Sequence, residues 1–281
     1  MKAWAVLFLR AITVLCIASA ANAQSNFVRA QNVAPGQLRI AGSSTMTPLV
    51  TAIAQRLHAR YPQVDISVES GGSGRGLADA RAGKADIGMV SRALGEGDND
   101  LYSLPIARDG VAVVIHGTNP VHSLTVRQIA EIYAGKIFDW KQVGGTNAPI
   151  VVIKSEEKRS SSELFTHYFQ LRYEDMKSQL VAGDNAKRIE LLLKHPNAIV
   201  YMSVGEAERN AQKGVPLKLL PIDGVAASSR TIRSGDYPIA RPLTLVTKGI
   251  PAGLAKLFIE YAASSQVSDL VAANDFVPYL D

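Results

Sequence analysis

Apolar and polar positions along this chain repeat first at a period of two, then at 3.6, and each change of period marks an element. Leu38-Arg39-Ile40-Ala41 predicts a short buried strand, and Leu49, Val50, Ile53, Ala54 and Leu57 share one face of a helix that Tyr61-Pro62 ends. Val64, Ile66 and Val68 alternate with polar residues as a second strand. Leu77-Ala78-Asp79-Ala80 opens another helix, and Ala85-Asp86-Ile87-Gly88-Met89-Val90 is a short strand that ends in Ser91-Arg92. Val111-Ala112-Val113-Val114-Ile115 is the continuous apolar run of a strand buried on both faces. Asn119-Pro120 breaks it, and Tyr237 to Arg241 reads as a return crossing. Between these points Thr125-Val126-Arg127-Gln128 is a capping box, with the helix closed by Gly135. Ile150 to Ile153 and Ala198 to Met202 predict strands, and Leu164, Phe165, Tyr168 and Phe169 mark an amphipathic helix. A strand over Leu243 to Val246 and helices near 252–263 and 268–273 complete an α/β chain.

Three of the strand-to-helix junctions share one chemistry. Gly42-Ser43-Ser44-Thr45-Met46-Thr47-Pro48 and Ser70-Gly71-Gly72-Ser73-Gly74-Arg75-Gly76 both combine glycine with hydroxyls before a helix. The stretch from Lys154 to Ser162, with Arg159-Ser160-Ser161, is the third. A helix start offers unpaired backbone N–H groups and a partial positive charge, and glycine lets a ligand approach that backbone closely. Each junction alone is equally consistent with simple helix capping. Three of them, from two halves of one α/β chain, fit a single anion held between two lobes beyond the carboxyl ends of strands. A dinucleotide fingerprint is excluded, because Leu77 stands where its third glycine belongs and Asp86 comes too early for the ribose acid.

Composition narrows the function classes. Lys2, an apolar run from Ala3 to Ala18 and Ala21-Asn22-Ala23 form a cleavable export leader over 1–23, with the mature chain starting at Gln24. No small residue precedes Cys16, so a lipid anchor is not expected, and loss of the leader removes the only cysteine. Residues 24–36 are polar and irregular, the pattern of a loose N-terminal arm. The formal net charge of +5 includes Lys2 and Arg10 of the leader, which leaves too little basic excess to argue for nucleic acid. The five histidines, His58, His116, His122, His167 and His195, have no metal-ligand spacing, and no nucleophile-elbow pentapeptide is present. Neither a metal, a cofactor nor a catalytic role is expected.

The ordered set of segments resembles the periplasmic phosphate-binding proteins of ABC importers over nearly all of the mature chain. Besides the first two junctions it includes Ala85-Asp86-Ile87-Gly88 with Ser91-Arg92, Asn119-Pro120-Val121 and Leu124-Thr125. It continues through Ile132-Tyr133-Ala134-Gly135-Lys136-Ile137, Asp139-Trp140, Gly144-Gly145, Pro149-Ile150-Val151-Val152 and Ala198-Ile199-Val200-Tyr201. The resemblance implies a type II periplasmic binding protein fold, with Rossmann-like lobes over 37–117 and 118–238 and a return segment over 239–281. It further implies a periplasmic monomer that closes on inorganic phosphate or a related oxyanion and delivers it to an inner-membrane permease. By matching positions the ligand contacts are Ser43, Ser44, Thr45, Gly72, Ser73, Gly74, Ser91 and Arg92 in the first lobe, and Arg159, Ser160 and Ser161 in the second.

The second-lobe match is imperfect. The family motif is Arg-Glu-x-x-Ser-Gly-Thr; aligned without gaps, its arginine falls on Ser155 and its Ser-Gly-Thr on Arg159-Ser160-Ser161. Arginine and serine have exchanged places. Arg92 also stands where some relatives carry an aspartate that accepts the proton of monohydrogen phosphate, with Glu96 as a possible substitute. Arg92 and Arg159 are equally readable as ion-pair formers, with Glu96, Asp98 and Asp100 near one and Glu156, Glu157 and Glu163 near the other. A different small anion, or a partner-binding protein that has lost the pocket, therefore stays open beside phosphate.

Overall fold

A computed structural model describes residues 34–279. The leader, the cleavage site and Cys16 lie outside the described residues. The strands are β1 (Gly36–Gly42), β2 (Val64–Ser70), β3 (Ile87–Val90), β4 (Tyr102–His116), β5 (Val151–Ser155), β6 (Leu180–Ala182), β7 (Ala198–Ser203), β8 (Leu217–Leu220), β9 (Ala240–Thr247) and β10 (Val277–Pro278). The helices are α1 (Thr47–Arg60), α2 (Ser73–Arg81), α3 (Val126–Tyr133), α4 (Ser160–Phe169), α5 (Asn185–Lys194), α6 (Val204–Gln212), α7 (Ser229–Ser234), α8 (Gly253–Ala262) and α9 (Ser268–Ala273).

The sheet runs β2-β1-β3-β9-β4-β7-β5-β6, with β8 and β10 added on β4. β2, β1 and β3 are parallel, and so are β6, β5 and β7, so the same winding order appears in each half. β4 joins the halves. From Tyr102 to Gly110 it pairs antiparallel with the return strand β9, and from Val111 to Ile115 it pairs with β7. The apolar run Val111 to Ile115 is fully buried in the core of the second half, which also holds Trp140, Phe165 and Tyr201. A separate core formed by Leu38, Leu49, Ile53, Ile87, Leu243 and Phe258 supports the first half.

Two junctions differ from the sequence reading. α2 begins at Ser73 rather than near Leu77, and α4 begins at Ser160 rather than after Ser162. The first turn of α2 carries serine, glycine and arginine, and that of α4 three serines and a glutamate, in place of apolar residues, so hydrophobic periodicity starts one turn late. The hydroxyls thus sit in helix N-terminal turns themselves, where N–H groups are unpaired. β4 is also three times the apolar run that marked it, because its first part, with Pro105 and Arg108, is partly polar.

Candidate functional site

β1 ends at Gly42, whose carbonyl accepts from the N–H groups of Gly71 and Gly72, both at 2.8 Å. This ties the first junction to the second. Ser43 N–H donates to Met89 O (3.0 Å), and Ser43 O accepts from Met46 and Thr47 N–H at the start of α1. The Ser43 carbonyl holds the helix turn, while its Oγ accepts from Met46 N–H (3.4 Å) and donates to Ser91 Oγ at 2.8 Å. Ser73 Oγ accepts from Ser91 N–H at 3.0 Å. Ser91 Oγ in turn lies 2.8 Å from Ser160 Oγ on α4, so a hydroxyl chain bridges the two halves.

On the second side, Arg159 caps α4 without a side-chain bond to the helix. Its Nε donates to Glu156 Oε2 at 2.9 Å, but its Nη1 is buried and has no hydrogen-bond partner among the described residues. Ser162 Oγ donates to Glu156 O and lies 2.9 Å from Tyr201 Oη, which accepts from Ser155 N–H. Tyr201 also stacks on Phe165 at 4.1 Å between centroids, so the core ring fixes the helix start through its hydroxyl.

Ser43, Ser44, Thr45, Gly72, Ser73, Ser91, Arg159, Ser160 and Ser161 converge on one cavity, joined by Arg188. The cavity is the tightest of those described, with ≈ 10 Å³ open to the centre of a water-sized sphere against ≈ 290–350 Å³ in the others, a size that suits a small ion. No carboxylate lines it; every charged lining group is a cation. A larger cavity of ≈ 340 Å³ between β4 and α8–α9 is lined mainly by apolar and hydroxyl groups and carries no charged side chain.

Two predicted residues fall outside this cavity. Arg92 donates from Nη1 to Asp98 Oδ2 (2.9 Å), and its Nε lies 3.0 Å from Glu163 Oε2 of α4. Burial alone would raise the Asp98 carboxyl, but Arg81, the Gly95 N–H and Arg92 together hold it below its ordinary value. Arg92 is thus committed to an ion pair that also spans the halves, and Glu96 is exposed away from the cavity. Gly74 makes no close approach either, since a Cβ there would meet nothing nearer than Lys158 O at 3.9 Å. The glycine the turn requires is Gly72, at φ 88° and ψ 157°, where a Cβ would lie 3.3 Å from Arg159 Cδ.

Three residues were not found from sequence. Arg188, on α5, is only 2% exposed. It donates to Tyr201 O (2.9 Å), Ser155 Oγ (2.8 Å) and Gly183 O (3.2 Å), while its Nε is unpartnered among the described residues. Burial pushes its guanidinium down to about 10, which still leaves it a cation at neutral pH. Ser155 therefore holds Arg188: where the family motif places an arginine, this chain has a serine that anchors one from another helix. The other two are Asp109 on β4 and Arg241 on β9, 0% and 3% exposed, paired at 2.8 Å. No local pattern marks any of the three.

Residues 28–266 match the family model of a PBP superfamily domain. The chain is 27% identical over 263 residues to the phosphate-binding protein PstS of Bacillus subtilis (strain 168), covering 92% of this chain and 85% of that protein. It superposes, at TM-score 0.80 and 30% identity, on a Clostridium perfringens protein described as a putative phosphate ABC transporter substrate-binding protein and solved with bound phosphate. That match covers 86% of this chain and 99% of the other. An ABC-type phosphate transport receptor from Vibrio cholerae aligns with TM-score 0.70 and 27% identity, over 85% of this chain and 99% of that one.

Proposed function

This chain belongs to the PBP superfamily, among the phosphate-binding proteins of ABC transporters, and we propose that it captures inorganic phosphate in the cavity between its halves and delivers it to an importer. The observation that carries this reading is the buried Arg188, which has no carboxylate partner among the described residues, beside the half-buried Arg159, whose Nη1 is left unpartnered although its Nε meets Glu156, at a cavity that no carboxylate lines. Burying an unpaired charge costs several kcal/mol. A dianion supplies the missing countercharge, and the surrounding hydroxyls and helix-start N–H groups pair its oxygens.

The ligand contacts in this reading are Ser43, Ser44, Thr45, Gly72, Ser73, Ser91, Arg159, Ser160, Ser161 and Arg188. The mechanism is hinge closure. The lobes in this reading change over within the two crossing strands, at Gly110 to Val111 of β4 and at Ile239 to Ala240 entering β9, a few residues from the 117 and 238 bounds expected from sequence, and they pivot where Val111 N–H donates to Ile239 O at 2.9 Å. On closure the second-lobe donors complete the anion's shell, and the Ser91–Ser160 and Arg92–Glu163 contacts hold the lobes together. The protein works as an exported periplasmic monomer that hands its ion to a membrane permease; among the described residues no helix is long and apolar enough to cross a membrane.

Calorimetry of ligand-free protein against phosphate, sulfate and nitrate tests the assignment. Phosphate is expected to bind with the highest affinity, and at a hundredfold excess over its Kd to add about 2.7 kcal/mol of stability, read as a rise in Tm. Tighter binding of another of these ions would reassign the ligand; no heat from any of them would mean the pocket has lost its anion. Arg159→Ala is expected to weaken phosphate binding about tenfold to a hundredfold, the worth of one charge-assisted hydrogen bond. If its affinity equals the parent's, Arg159 is only the surface partner of Glu156.

A further inference from the structure

Asp109 and Arg241 lie on the two strands that cross between the halves, and neither lines the cavity. Arg241 gives Nε and Nη2 to Asp109 Oδ2, at 3.2 and 2.8 Å. Asp109 Oδ1 also accepts from Gly205 N–H at the start of α6 (3.2 Å), so the pair is neutral and anchored in the second half as well. Arg241 has donors left over. Nη2 reaches Thr45 Oγ1 at 3.1 Å on the first side of the cavity, and Nη1 reaches Ser160 Oγ at 3.3 Å on the second.

We propose that Arg241 is a positioning residue that sets the direction of the hydroxyl protons at the anion site, turning Thr45 and Ser160 into donors toward the ligand. The inference rests on reading the cavity as an oxyanion site. A guanidinium can only donate, whereas a hydroxyl has one proton and two lone pairs. Thr45 Oγ1 must accept from Arg241, and its own proton is left for the cavity it lines. Ser160 Oγ must accept likewise. The chain behind it runs in the same sense, because Ser43 Oγ donates to Ser91 Oγ, leaving the Ser91 proton for Ser160 at 2.8 Å, for the more distant Ser73 Oγ at 3.4 Å, or for the cavity. Protons are thus pushed from both directions toward the ligand. The specificity that follows is for oxygens without a proton of their own, since the hydroxyls that Arg241 holds are donors to the ligand. Asp109 lets a third arginine stand beside Arg159 and Arg188 without adding net charge. Arg241 can serve both hydroxyls only while the two halves are together, so the orientation is complete in the closed state.

The test is a double-mutant cycle read by phosphate titration calorimetry, with the parent in the same series. Asp109→Asn combined with Arg241→Gln replaces the ion pair by neutral amides and leaves no lone buried charge. It is expected to weaken phosphate binding about tenfold to a hundredfold. Thr45→Val should cost about tenfold in the parent and less than about twofold in the paired variant, because the hydroxyl there is no longer held as a donor. The parent's affinity should also fall more steeply than the paired variant's as the pH drops and the dianion takes up a proton. Should the paired variant not fold, Arg241→Lys keeps the charge facing Asp109 but can reach only one hydroxyl, and the same cycle with Thr45→Val applies. Additive effects and parallel pH profiles in a parent that binds phosphate overturn the positioning role alone. A parent that binds no oxyanion overturns the site reading and this inference with it.

Discussion

Arg188→Gln is expected to lower phosphate affinity by about a hundredfold to several thousandfold, the largest loss from any single side chain at the site. Removing one partner from a buried charge pair costs about 3–5 kcal/mol, because the charge left behind stays desolvated. Among the described residues no carboxylate pairs with Arg188, so in the complex that partner is the anion. Glutamine retains an N–H donor, which limits damage to the groups that Arg188 orients, the Tyr201 carbonyl and Ser155 Oγ. Circular dichroism and Tm of the ligand-free variant separate the two effects. A variant that folds like the parent and loses phosphate places the cation at the ligand. If phosphate binds within about threefold of the parent, Arg188 is a structural bolt between α5, β5 and β7 and the dianion draws its charge elsewhere.

Gly42→Ala should do the most damage to the fold. Gly42 has φ 138°, and a Cβ there would lie 2.4 Å from Met89 O and 2.9 Å from Met89 N. Both are backbone atoms of the neighbouring strand β3 and cannot move aside without opening the β1–β3 pairing. Strained backbone costs about 1–3 kcal/mol and an overpacked site about 1–3 kcal/mol more. With a Tm shift of about 2–4 °C per kcal/mol for a chain of this size, a fall of about 10 °C follows. Binding should suffer as well, because the Gly42 carbonyl holds Gly71 and Gly72 in place. Gly83→Ala is the control: φ is 68° there, but a Cβ would meet nothing within 4 Å, so only the backbone term applies. If the two variants melt together, close packing at the end of β1 is not what requires glycine.

The positions of Ser43, Ser73 and Ser160 at the cavity were legible from sequence for a local reason. An anion turn is built from backbone N–H groups and short hydroxyl side chains over six or seven consecutive residues, so its signature is contiguous. Hydrophobic period made the elements up to Phe169, β7, β9 and the C-terminal helices legible, but it started α2 and α4 one turn late and gave no reading of β6, α5, α6, β8, α7 or β10, which are short or carry mixed apolar and charged faces. Arg92 was misplaced because position beside a strand end does not decide which acid a guanidinium meets. The buried carboxylate of Asp98, six residues on, claims it in the fold.

Arg188 could not be read this way. It follows Lys187 in a helix whose Lys187, Glu190 and Lys194 form an exposed ladder of ion pairs, and by sequence it is one more charge in that run. Only the packing of α5 against β5 and β7 turns that one residue inward, toward Ser155 and Tyr201. Asp109 and Arg241 are 132 residues apart, and nothing in either neighbourhood announces the other. The turns that line the cavity are written in the local sequence, because their chemistry is short-range. Of the cations at the cavity, Arg159 belongs to such a turn, but Arg188 is placed there by tertiary packing, because the sign of a side chain is local while its burial is a property of everything packed around it.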